Sequence, residues 1–174
     1  MRLKKKVKKN KSDFDIVCLD TGVILGYGLK IINKIKKDSH PLKKLKEIKE
    51  DGILKKVKDK TKIRFVTIIT SYEFINNMSR RHGVSIDLAR KVYESIKEEF
   101  QIVEIIPKPK EINLSPKLMN DLCKCELDLA DGLQIYIASL RKLTFVTSEK
   151  KKVPKMKKFY SEVINVKELL SKTN

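Results

Sequence analysis

The chain has 174 residues, 41% of them hydrophobic, enough for one domain with a core of its own. Its 40 Lys and Arg against 22 Asp and Glu leave a formal charge of +18. That surplus points to a polyanionic partner, whose phosphates it would neutralise with release of counterions, although a generally lysine-rich proteome would produce the same excess. No apolar run approaches a membrane span and the first residues lack the apolar segment of a signal peptide, so a soluble, cytoplasmic protein is expected.

Residues 1–12 read as a basic arm, since seven of the first eleven residues are Lys or Arg; the arm either settles on a phosphate backbone or is a plain tail. Residues 13–174 read as one domain. Phe14–Leu19 is an apolar strand that stops at a single carboxylate, Asp20. Buried parallel strands look like this when they deliver an acid to their C-terminal edge, and an Asp there is equally suited to cap the next helix. That helix is expected over Gly22–Lys37, with Gly26 and Gly28 weakening its start. A cationic helical insertion follows at about 38–61, broken at Asp51-Gly52.

Ile63–Ile69 makes a second strand. Glu73 is then expected in the first turn of the following helix, either as a second acid at the same sheet edge or as the far half of a capping box begun by Thr70 or Ser71. That helix ends at Arg80-Arg81-His82, and Ser85–Phe100 is an amphipathic helix explained by packing. Ile102–Ile106 is a third strand. Ser115-Pro116 opens a short helix through about Cys125, and Glu126–Gly132 leads into a largely apolar helix carrying Leu133, Ile135, Ile137, Ala138 and Leu140. Asp128 and Asp131, three apart, share a face at its mouth, where one acid suffices as cap. Leu143–Thr147 is a fourth strand, ending in Thr147-Ser148-Glu149. Lys150–Lys158 is basic and broken by Pro154, Val163–Val166 is a last short strand, and Lys167–Ser171 a final turn of helix. Cys18, Cys123 and Cys125 are expected as reduced core thiols. The alternation predicts an α/β fold, a three-layer sandwich with a central, mainly parallel sheet flanked by helices.

Asp20, Glu73, Asp131 and Glu149 would then gather at one sheet edge and repel one another unless cations sat between them. With no His or Cys to add, Mg2+ or Mn2+ is the expected cofactor, and such ions support hydrolysis of phosphodiester bonds. A basic exterior around an acidic focus suits holding and cutting a nucleic acid strand.

Leu19-Asp20-Thr21-Gly22, Glu73 behind its strand and Thr-Ser pair, the segment Leu129–Ala138, and Phe145-Val146-Thr147-Ser148-Glu149 resemble, in order and across Phe14 to Leu170, the motifs of PIN-domain ribonucleases. VapC-type toxins of prokaryotic toxin–antitoxin pairs are the most similar group. The resemblance implies a PIN-like fold and a Mg2+- or Mn2+-dependent endoribonuclease. Asp20, Glu73 and Asp131 match the family's metal-binding acids. Glu149 stands where a last Asp is usual and, with Asp128, would complete or orient a second position. Gly22 stands where a small hydroxyl or amide residue is often found. Thr147 and Ser148 are candidates for hydrogen bonds to ligand or substrate, and Arg80, Arg81, Lys150 and Lys151 for contact with the RNA backbone. RNA is the expected partner, with a small antitoxin protein and a second copy of the chain left open. The alternatives are a non-catalytic basic RNA-binding or scaffolding protein and a nuclease of ribosomal RNA processing.

Overall fold

Five short runs rich in β-branched and aromatic residues form the strands: β1 Ile16–Leu19, β2 Ile63–Thr67, β3 Ile102–Ile105, β4 Thr144–Thr147 and β5 Val163–Asn165. In the computed structural model, which describes residues 14–37, 52–112 and 115–171, they make one sheet of order β3-β2-β1-β4-β5 in which every neighbouring pair is parallel. The basic arm at 1–12 and most of the expected insertion, 38–51, lie outside the described residues.

Alternation along the strands separates two cores, because successive side chains leave a strand on opposite faces. Val17, Leu19, Val66, Val146 and Ile164 pack on one side with the apolar faces of helices α1 (Thr21–Lys37), α3 (Ile68–His82) and α4 (Ile86–Phe100). Cys18, Phe145 and Val163 pack on the other with Ile135 and Ala138 of α6 (Leu129–Leu140) and Met156 of α7 (Val153–Phe159). Helices on both faces of a parallel sheet make the expected three-layer sandwich. The remnant of the insertion, α2 (Ile53–Lys60), buries Leu54 and Val57 and packs against α1 and α8 (Val166–Ser171). Its lysines are left on the outer face.

Four local expectations change. The second strand ends at Thr67 instead of Ile69, because Thr67 caps α3: its hydroxyl accepts the N–H of Thr70, and the Thr70 hydroxyl accepts the N–H of Thr67, each at 3.3 Å. Glu73 therefore falls in the second turn of α3 and takes no part in the capping box. Pro154 does not break its segment but sits in the first turn of α7, where a missing N–H costs nothing. In the last strand, Asn165 accepts the N–H of Glu168 at 3.0 Å and starts α8 at Val166. Of the cysteines, Cys18 and Cys125 are buried and Cys123 is exposed, all three free.

Arg64 is buried in β2 with backbone partners: Nε donates to the Phe100 carbonyl at 2.8 Å, and Nη1 to the Thr61 carbonyl at 2.6 Å. These groups close the C-terminal ends of α4 and α2, where carbonyls have no helical partner and the dipole favours a cation. Arg64→Met is expected to cost about 3 kcal/mol by leaving them unsatisfied. Urea denaturation measures it; a loss within error of zero would show that water or a neighbour takes over the carbonyls.

Candidate active site

From β1 the chain steps outward to β2 and β3, whereas β4 and β5 lie on the other side of β1. The order thus reverses between β1 and β4, and their C-terminal ends open the crevice in which sheets of this kind place ligands. Asp20 leaves β1 at that point and the Thr147-Ser148-Glu149 loop leaves β4 beside it, joined by the Asp20 N–H to the Val146 carbonyl at 2.9 Å. Asp20 is almost fully buried. The Thr147 hydroxyl accepts the Glu149 N–H at 3.0 Å and donates to Asp20 Oδ2 at 2.6 Å. Thr147 therefore orients Asp20, where the sequence suggested a contact to ligand or substrate.

Two helices bring the other acids. Asp128 caps α6 by accepting the Asp131 N–H at 2.9 Å. That settles which acid caps and leaves the buried Asp131 side chain to face the crevice. From α3, Glu73 Oε2 accepts the Thr21 hydroxyl at 2.6 Å and the Gln134 side-chain amide at 2.7 Å. Gln134 is fully buried and accepts the Thr70 hydroxyl at 2.9 Å. Glu73 is thus tied to α1, and through Gln134 to α6. Gly22 lies close to the β4–α7 loop: a Cβ there would stand 2.3 Å from Ser148 Oγ, so a larger residue would turn that hydroxyl aside.

The acids feel one another's charge. Burial lifts the Asp20 carboxyl from 3.8 to about 6, against the pull of the Thr147 hydrogen bond and with a push from Glu73 and Glu149. Burial likewise raises Asp131 to about 7, with Asp20 and Asp128 adding to it and Lys152 opposing it. Lys152, which the sequence reading passed over, sits among them. Its Nζ is 2.7 Å from Asp131 Oδ2, 3.2 Å from Glu149 Oε1 and 3.6 Å from Asp128 Oδ2. Burial works against that ammonium, but Asp131 and Glu149 outweigh it and raise its pKa.

The donor set suits a hard divalent cation: all oxygen, anionic, and already drawing a cationic group from the chain itself. Among the described residues no three acidic, His or Cys side chains are arranged around a single ion position as they stand, so loading requires side chains to move. Asp20, Glu73 and Asp131 are the residues that would hold the ion, with Glu149 and Asp128 at the exposed mouth.

The basic candidates are distributed unevenly. Arg80 and Arg81 are exposed in the last turn of α3, about 10 Å along the helix from Glu73, and are not gathered with the acids. Lys150 and Lys151 are exposed on the loop leading from Glu149 into α7. A cleft of about 250 Å³ joins Asp128 and Asp131 to Lys151, Lys152 and Lys155. A second hollow of about 240 Å³ carries Lys124 and Lys158. No described helix is long and apolar enough to cross a membrane.

No family model and no curated protein sequence matches the chain. Among solved structures it is similar to the crystal structure of PAE2754 from Pyrobaculum aerophilum, at 15% identity and a TM-score of 0.51, over 92% of this chain and 90% of that one. A likeness at that identity shows the α/β fold.

Proposed function

We propose that this chain is a Mg2+- or Mn2+-dependent endoribonuclease of the PIN type that hydrolyses RNA phosphodiester bonds, with a toxin of a toxin–antitoxin pair as the group it most resembles. The observation that carries the proposal is the meeting of Asp20, Glu73, Asp131 and Glu149, from four separate elements, at the switch point of a parallel sheet. Four acids sharing one crevice are costly to the fold; the single Lys152 ammonium offsets part of that cost, and a divalent cation would offset more. When bound, a divalent ion neutralises charge on the phosphoryl oxygens and lowers the pKa of water. The chain's own groups do the rest. Thr147 holds Asp20, Thr21 and Gln134 hold Glu73, and Asp128 fixes the start of α6 so that Asp131 points inward. Glu149, half exposed at the mouth, would orient an attacking water. The test is purified protein with labelled RNA in Mn2+, beside Asp20→Asn. The parent cuts and the variant is slower by about a thousandfold; equal cutting by the two removes the mechanism.

RNA as substrate is supported by the charge of +18 and by the cleft in which lysines adjoin the acids. Lys150→Glu with Lys151→Glu, on the exposed loop beside that cleft, is expected to weaken binding of single-stranded RNA and to flatten its salt dependence by about 0.7 in log–log slope for each phosphate no longer neutralised. Fluorescence anisotropy of metal-free Asp20→Asn protein reads this without cleavage. An unchanged slope, with binding abolished instead in Arg80→Glu with Arg81→Glu, would put the strand on α3. A second reading, a basic RNA-binding protein that does not cut, draws on Lys152 standing among the acids; absence of Mn2+ uptake at millimolar concentration would favour it.

A further inference from the structure

We infer that Lys152 is the built-in counter-cation of the acidic crevice: its ammonium holds Asp131 and Glu149 together in the metal-free protein, and a divalent cation enters by displacing it. The inference rests on the metal-site reading above and adds to it how the site is kept ready and what limits its affinity. Lys152 Nζ bridges acids from two parts of the chain, Asp131 and Asp128 at the start of α6 and Glu149 in the β4–α7 loop, at 2.7, 3.6 and 3.2 Å. One positive charge against these three carboxylates, with Asp20 and Glu73 beside them, leaves the crevice short of cation. The deficit keeps it attractive to a dication while preventing the acids from pushing the loop and the helix apart.

The same geometry explains how the ammonium can leave. Lys152 stands just ahead of α7, its N–H on the Glu149 carbonyl at 3.0 Å, and its side chain is 36% exposed and opens on the cleft shared with Lys151 and Lys155. A flexible four-carbon stem can carry the ammonium into that cleft while the backbone stays in place. A dication on the Asp131 carboxylate would repel an ammonium held on the same carboxylate, so the two cations exclude each other from Asp131. Apparent metal affinity is then reduced by the fraction of molecules in which Lys152 is already out. It follows that removing the ammonium tightens metal binding, whereas a merely structural lysine would lower stability and leave metal binding alone.

The experiment titrates Mn2+ into parent, Lys152→Gln and Lys152→Arg by calorimetry, with thermal melts of each metal-free protein. Lys152→Gln should bind Mn2+ about tenfold more tightly, as for a Lys152-out state populated about one part in ten. It should melt lower than the parent without metal and gain more from adding it. Lys152→Arg, which keeps the charge, should stay within about twofold of the parent. Binding by Lys152→Gln that is no tighter than the parent's, where both bind, overturns the role of Lys152 and leaves the metal site standing. Failure of both to bind overturns the metal-site reading and this inference with it. A measurement on the parent covers the case in which Lys152→Gln does not fold. By NMR, the protected Lys152 ammonium signal should vanish on addition of Mg2+, and its persistence at saturation would overturn displacement.

Discussion

Asp20→Asn is expected to stabilise the metal-free protein by about 2 kcal/mol at neutral pH, while the same change should slow RNA cleavage by about a thousandfold. The carboxyl is buried and its pKa lies at about 6 against an ordinary 3.8, so folding asks it to hold a proton that the unfolded chain has already released. Stability from this group is therefore full below the unfolded value and is lost as pH rises through about 6. Asparagine keeps an oxygen for the Thr147 hydroxyl and carries no charge, so the penalty disappears. A gain of this size corresponds to a melting temperature higher by about 4 to 8 °C for a chain of this length. Subtracting the variant's stability from the parent's at each pH leaves Asp20 together with its effect on Asp131, and the difference should grow between about pH 4 and pH 7. A variant less stable than the parent at pH 8 would mean that the carboxylate is satisfied within the chain and has no need of a cation.

The second large effect is expected at Gln134. This fully buried side chain accepts from Thr70 at 2.9 Å and donates to Glu73 Oε2 at 2.7 Å. Gln134→Leu conserves shape but takes a donor from a carboxylate and an acceptor from a hydroxyl, at a cost of about 2 to 3 kcal/mol. Thr21 remains on Glu73, so the carboxylate stays in the crevice with its direction no longer fixed. RNA cleavage should fall by about tenfold to a hundredfold, the usual consequence of a small misplacement. Denaturant unfolding and the cleavage assay check the two parts separately. A stable and fully active Gln134→Leu would show that Thr21 alone positions Glu73.

Period and composition were sufficient for the layers of this fold. Strands β1 and β4 are short apolar runs that end in turn residues and acids, and such a pattern is legible without tertiary information. The approach of Asp131 to Asp20 was legible in part, because β1 delivers Asp20 to the C-terminal edge of the sheet and α6, which leads back into parallel strand β4, has to start near that same edge. What escaped depends on partners distant in sequence. Ile68 and Ile69 read as strand because their hydrophobicity fits either state, and only the Thr67–Thr70 capping box decides for helix. Gln134 carried a signal, a polar residue three after Asp131 and so on its face of an otherwise apolar helix, but its partners lie 61 and 64 positions away. Lys152 carried none, being one lysine in a run of three whose selection depends on the turn that ends at α7. Arg64 in a strand read as buried should have been questioned, since an arginine there needs acceptors; its acceptors are helix ends that no pattern shows.

The central claim is that the acids of four elements hold a divalent ion. Crystals soaked in Mn2+ and measured for anomalous scattering test it most directly. The expected result is a peak about 2 Å from carboxylate oxygens of both Asp20 and Asp131, with the Lys152 ammonium withdrawn into the cleft. No peak in the crevice at saturating Mn2+, with Lys152 still bound to Asp131, would contradict it.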